Sequence, residues 1–260
     1  MSSPGSEQGH FPRPALPTTA VPGSAPALTS GQGARAHHIS PLRLAPYLRA
    51  KDDSPVRALS LYEWNVMTSA AAYEVLHRFE VGLRNAMNRH LCIWNTTQID
   101  PATGQPHGEA WLLDPSHLLR RLARTAIDEA APRADRAVKK GPISRAVLHD
   151  DVLAATSLGT WRYLLPDNDR GRQKLWSDAL HRAFPQLPVG PDGRIVTRKV
   201  QQVLDLRNRI AHLEPLLDVS RTRRQVDAAY DVAGWIDPQL ATWLRSTQRV
   251  SAALKAYRSI

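Results

Sequence analysis

Apolar residues recur every three or four positions over most of this chain, and alternation of period two is nearly absent. From Ser54-Pro55 to about Trp94, the positions Leu61, Trp64, Thr68, Ala72, Val75, Phe79, Leu83, Met87 and Leu91 keep helical spacing. No proline interrupts that stretch, so it predicts one long helix, weakened or kinked only at Gly82. Ser40-Pro41 has the form of a cap followed by a first-turn proline, and predicts a short helix carrying Leu42, Leu44, Ala45 and Leu48. A polar loop is expected over 95–110. A third helix should start at Asp114-Pro115 and reach about Ala130, with a basic, proline-bracketed connector over 131–142. Helical patterning resumes near Ser144, with Leu158-Gly159-Thr160 as a break and Pro166 to Asp169 as a turn. Leu175, Trp176, Ala179, Leu180, Ala183 and Phe184 form an amphipathic stripe that stops at Pro185, and Pro188 to Gly193 reads as a loop. Another helix runs from about Thr197 to Leu213, with Val200, Val203, Leu204, Leu206, Ile210 and Ala211 facing inward. Two more follow, after Ser220 and after Asp237-Pro238. The seven tryptophans share the apolar spacing and are expected in the core.

Residues 1–38 are rich in Pro, Gly, Ser, Thr and Ala and hold almost no large apolar residue. They cannot bury enough surface to offset chain entropy, so a disordered tail is expected. The fold class is therefore all-α: a single helical domain over 39–260, preceded by that tail.

Composition narrows the chemistry. The chain has 260 residues and a formal net charge of +10. No apolar run approaches 18 residues, so no transmembrane helix is expected, and the N-terminus lacks the pattern of a signal peptide. Cys92 is the lone cysteine, which excludes an intramolecular disulfide and a cysteine zinc cluster. A cytoplasmic location is expected. The positive charge falls in two regions. One holds Arg120, Arg121, Arg124, Arg133, Arg136, Lys139, Lys140 and Arg145. The other holds Arg194, Arg198, Lys199, Arg207, Arg209, Arg221, Arg223 and Arg224. Two such regions suit one electrostatic track for nucleic acid.

The segment Arg207-Asn208-Arg209-Ile210-Ala211-His212 lies near the end of a helix, just before Glu214-Pro215. Asn208 and His212 are four apart and share a face, while Arg207 lies about 140° round from His212. An arginine fork and an imidazole flanking one strip of surface suit phosphodiester chemistry without a metal. Such a helix end also permits a simpler role, in which Arg207 and His212 only cap carbonyls. Glu80 and Arg84 are four apart on the long helix, next to Phe79, Val81 and Leu83. They read as a partly buried ion pair beside the site, supporting it or contacting a substrate phosphate together with Asn85 and Arg209. Arg84-Asn85 also repeats Arg207-Asn208. The chain has no phosphate-cradling Gly-x-x-x-x-Gly-Lys loop, no His-Glu-x-x-His and no Gly-x-Ser-x-Gly. Asp150-Asp151 reads as a helix start and Asp167-Asn168-Asp169 as a turn, so neither metal nor cofactor is expected.

The Arg-Asn-x-x-x-His helix end resembles the signature of HEPN domains, helical bundles that include metal-independent ribonucleases. Other blocks sharpen the likeness. They are Leu61-Tyr62-Glu63-Trp64-Asn65, Phe79 to Ala86, Ser157-Leu158-Gly159-Thr160-Trp161, Leu175-Trp176 and Ala183-Phe184-Pro185. In this order they are similar to the Abi (abortive infection) family of HEPN proteins, closest to actinobacterial members, over roughly residues 43–220. Where many relatives read His-His-Glu-Pro, this chain reads His212-Leu213-Glu214-Pro215. The resemblance implies a HEPN-like bundle and a phage-defence endoribonuclease whose site forms where two motif helices meet across a homodimer. It implies that Arg207 holds the scissile phosphate, His212 acts as general acid or base, and Asn208 orients His212 or binds the backbone. The 2′-hydroxyl of RNA would attack and leave a cyclic phosphate. An antitoxin or a phage-derived trigger is the candidate regulator. The alternative is a non-catalytic helical module that binds RNA or a protein partner in phage defence.

Overall fold

The computed structural model describes residues 28–143, 145–188, 193–246 and 248–260. Residues 1–27 of the tail expected over 1–38, and most of the loop expected between Pro188 and Gly193, lie outside the described residues. Among those described, the regular structure is helical, apart from one isolated bridge between Ile99 and Pro106. The all-α reading is therefore shown. The chain divides into two compact units, one ending at Leu59 and one starting at Ser60.

The first unit holds α1 (Ser30–Ile39), α2 (Pro41–Arg49) and the first residues of α3 (Pro55–Asn95). Helix α1 departs from the expected irregular tail. Thr29 accepts from the Gln32 backbone N–H at 3.3 Å while the Gln32 side chain accepts from Thr29 N at 2.9 Å. This reciprocal cap satisfies two of the donors that a helix start leaves open. A pattern search centred on apolar residues misses it, because α1 buries none. Ser40 and Pro41 start α2 as expected, and Leu44 and Tyr47 are its buried residues.

In the second unit α3 is the spine. It is a single helix through Gly82, and that glycine has a packing reason. A Cβ there would lie 2.8 Å from Cδ2 of Leu240, so the missing side chain lets α10 (Pro238–Ser246) approach. At its far end Asn95 is fully buried. It donates to the carbonyls of Gly108 and Asp114 at 2.7 and 2.9 Å and accepts from Ser116 N at 3.0 Å. One amide thus fastens both ends of the polar loop.

Helix α4 (His117–Lys139) runs nine residues beyond the expected end, through Pro132. An interior proline costs about 3 kcal/mol. Ala130, Ala134 and Val138 are all buried on one stripe, and their packing offsets that cost. The expected connector over 131–142 is thus mostly helix. Next come α5 (His149–Ala155) and α6 (Leu158–Leu164), which puts the break at Thr156-Ser157 rather than at Leu158-Gly159-Thr160. Helix α7 (Arg170–Asp178) and a short 3-10 turn (Leu180–Ala183) replace the one helix expected before Pro185.

Helices α8 (Arg194–Ala211) and α9 (Val219–Ile236) pack as an antiparallel pair, α10 packs on α9, and α11 (Val250–Ala256) makes three terminal helices where two were expected. Val196, Val200, Val203 and Leu206 form the buried stripe of α8. Leu204 and Ile210 are half-buried, and Ala211 is exposed. Of the tryptophans, Trp64, Trp94, Trp111 and Trp161 are core, whereas Trp243 is half-exposed with the Arg78 guanidinium over its ring. No described helix is long and apolar enough to cross a membrane.

Candidate functional site

The motif helix α8 is set at its start by Thr197, whose buried hydroxyl donates to the Pro166 carbonyl at 2.7 Å. Its other end closes in a Schellman turn. His212 caps the helix, Leu213 takes φ 57°, Leu213 N donates to Ile210 O at 3.0 Å and Glu214 N donates to Arg209 O at 2.8 Å. That turn usually takes glycine or asparagine at the left-handed position. Here leucine stands there, so the turn must be held from outside.

Two side chains hold it. Arg209 turns away from solvent, donates to the Pro215 carbonyl and lies 3.8 Å from the Glu214 carboxylate. Burial pushes its pKa down and nearby Arg221 pushes the same way, against Glu214 and Asp218. Asn65, buried on α3, accepts from Leu216 N at 2.6 Å. Leu216 is itself fully buried. The Asn65 signal was present in the sequence as a polar residue on the core stripe between Leu61 and Thr68.

With the turn fixed, His212 is exposed, and Arg207 and Asn208 are half-exposed beside it. None of their three side chains makes a hydrogen bond or ion pair among the described residues. Lys199 pairs with Asp231 at 2.8 Å, and Arg209 feels Arg221. That register sets Arg207 level with Arg223 on α9. Arg221, Arg223 and Arg224 are exposed and form no ion pair among the described residues. The other basic region differs. On α4, Arg121 is bidentate on Asp169 at 2.9 and 3.0 Å, and Arg124, Arg133 and Lys139 pair within the helix. Arg145 is held by Asp151. The two regions are equal in sequence, but more of the open positive charge sits around the α8–α9 end, where Arg221, Arg223 and Arg224 are exposed, than on the first region, where Arg136 and Lys140 are exposed without an ion pair among the described residues.

Glu80, Arg84 and Asn85 are placed elsewhere. No ion pair joins Glu80 to Arg84, and Arg84 Nε instead donates to Asn85 Oδ1 at 3.5 Å. Arg84 lies nineteen residues along α3 from Asn65, about 28 Å at about 1.5 Å per residue. No hydrogen bond or ion pair connects these three residues to Arg207, Asn208 or His212 among the described residues. Arg84 and Asn85 line a separate cavity with Asn88, Arg89 and Asp150.

Beside that cavity is a polar cluster that sequence reading missed. Trp111 Nε1 donates to Asn88 Oδ1 at 2.8 Å, and His149 Nε2 lies 3.1 Å from the same oxygen. An indole N–H can only donate, so the shared atom must be oxygen and His149 must carry its proton on Nε2. Burial pushes the His149 pKa down, which leaves Nδ1 a bare acceptor, buried and without a partner. Cys92 Sγ lies 3.8 Å from that protonated Nε2, and burial pushes its thiol pKa up. The pair is therefore not an activated thiolate–imidazolium. Among the described residues no group of three or more His, Cys, Asp and Glu is arranged to hold a metal ion. The chain matches no protein-family model, and no curated protein or solved structure is significantly similar to it.

Proposed function

We propose that the α8–α9 end is the reactive centre of a metal-independent endoribonuclease of the abortive-infection, HEPN-like kind. The observation that carries the reading is the Arg207, Asn208 and His212 trio, exposed and uncommitted at a helix end that Arg209 and Asn65 hold in place. Arg207 would clamp a phosphate and steady its developing charge. His212 would move the proton between the 2′-hydroxyl, the leaving oxygen and water. The open arginines Arg221, Arg223 and Arg224 would track the RNA backbone.

A general acid needs a fixed imidazole, and no side chain among the described residues hydrogen-bonds that of His212. The homodimer that the resemblance implies would supply such a partner from a second copy of the chain meeting it at α8. The same observation favours the second reading, a non-catalytic RNA-binding module on the same basic surface. RNA incubated with the full-length protein in EDTA distinguishes them. Cleavage leaving 2′,3′-cyclic phosphate ends is the expected result. Salt-dependent binding of RNA that stays intact would leave the binding module.

A further inference from the structure

Four residues other than glycine take a positive φ among the described residues: Ser40, Asp52, Asp53 and Leu213. The first three carry short polar side chains, and aspartate is enriched in that region of backbone space. Leu213, at φ 57°, is the one large apolar side chain held there. Glycine or asparagine would take the position with less strain. Nor does burial of the side chain offset that strain, since Leu213 is 67% exposed. In a Schellman turn the accompanying apolar contact joins the third residue before the cap to the second after it, here Arg209 and Glu214. Those two are charged and lie 3.8 Å apart, so an ion pair takes the place of that contact.

Strained backbone gathers at functional sites, and this residue adjoins the proposed centre. Leu213 follows His212 directly, with Cα atoms about 3.8 Å apart. It sets a large, exposed apolar side chain among polar and basic ones. Arg207 and Asn208 are half-exposed, His212 is exposed, and so are Arg221, Arg223 and Arg224 on α9. An RNA strand is divided in the same way. Its phosphates suit the arginines and the imidazole, and the faces of its bases are its apolar part. A phosphate engaged by His212 brings its own nucleoside up to Leu213. In a duplex the base faces are hidden in the stack, whereas in a single strand they can be splayed onto a side chain. Leucine has neither donor nor acceptor, so such a contact requires an unpaired base without reading which base it is.

We propose that Leu213 contacts the substrate: it packs on the base next to the phosphate held by Arg207 and His212, and it restricts this site to single-stranded RNA. This role rests on the reading above, that the α8–α9 end takes RNA, and it does not require that the RNA be cut.

Anisotropy titration of the full-length protein with 2′-O-methyl RNA tests this, because that RNA has no 2′-hydroxyl to attack and stays intact. A labelled single strand of mixed sequence should bind more tightly than its duplex. Leu213→Gly and Leu213→Asn both accept the backbone at φ 57°, so each should melt close to the parent temperature or above it. Each should nonetheless bind the single strand at least about fivefold more weakly, the scale of partly burying one aliphatic side chain, and bind the duplex as the parent does. Leu213→Met keeps an apolar side chain and should bind the single strand like the parent. The loss should be the same at low and at high salt, because no charge is removed, whereas Arg223→Ala should lower the salt dependence itself. Leu42→Ala, which removes an exposed leucine from α2, should change neither affinity. Parent-like affinity of Leu213→Gly and Leu213→Asn for the single strand would overturn the proposal. So would an equal loss on the duplex, or a parent protein with no preference for the single strand. A changed sedimentation coefficient in the two variants with RNA affinity intact would also overturn it, and would assign Leu213 to a protein contact. Cleavage in EDTA is read separately, and its absence would count against the nuclease reading alone.

Discussion

Replacing Asn65 by alanine removes the acceptor that receives Leu216 N at 2.6 Å, in a place where Asn65 is 5% exposed and Leu216 fully buried. Water cannot easily replace that acceptor, so the Leu216 amide is orphaned at a cost of about 1–3 kcal/mol. Taking about 2 kcal/mol, a unit of this size should lose roughly 4–8 °C in Tm. Asn65→Leu separates the causes, because it restores most of the volume but no acceptor and should remain destabilised by about the same amount. Urea unfolding of the three proteins measures the loss. Amide hydrogen exchange shows where it acts, since faster exchange at Leu216 and Glu214 should accompany it as the turn after His212 loosens. If both variants stay within about 0.5 kcal/mol of the parent, the ordinary range for surface changes, Asn65 does not anchor the motif turn.

Three pH-dependent effects follow from named groups. Arg145 and the Leu148 N–H hold the Asp151 carboxyl at about 2. The stability it contributes is present above the ordinary carboxylate range and is lost as pH falls toward 2, and Asp151→Asn should flatten that part of an acid-unfolding curve. His149 is held neutral by burial, so its imidazole signal in an NMR titration should move below the ordinary pH of about 6.5. Because the unfolded chain takes that proton first, stability should fall as pH drops below about 6.5, and less so in His149→Gln. Burial pushes the Tyr230 phenol up to about 12. Ultraviolet titration should show one tyrosine ionising there that is missing in Tyr230→Phe. Stability carried by the protonated phenol should be lost as pH rises above about 10.

The helices were legible where apolar spacing carried them. The stripe from Leu61 to Leu91 lies on a helix that ends one residue from its expected stop, and Ser40-Pro41 and Ser54-Pro55 mark real starts. Local signals failed where tertiary packing outweighed them. Pro132 reads as a terminator, yet three buried residues carry α4 through it. Helix α1 is invisible to a search for apolar stripes, because its stabilisation is a polar cap. At the site, the position of Arg207 to His212 on a helix end was readable from their spacing before Pro215. The task of Arg209 was not, because its partner, the Pro215 carbonyl, exists only once the turn is formed. Spacing also suggested a Glu80–Arg84 pair. Four residues along a helix permit such a pair without requiring it, and Arg84 bonds to Asn85 instead. The Asn88 cluster joins α3 to Trp111 and to α5, residues far apart in the chain, so no local pattern announces it.

The central claim is that Arg207 and His212 do the chemistry. Its most direct test is RNA cleavage in EDTA by the parent protein beside Arg207→Ala and His212→Ala, each shown by circular dichroism to keep its helices. His212 is exposed and Arg207 half-exposed, with side chains uncommitted among the described residues, so both variants should fold like the parent. The account predicts cleavage by the parent and a loss of at least about 100-fold in each variant, the usual scale for removing a general acid or a charge-stabilising group. Cleavage undiminished in two well-folded variants would contradict it.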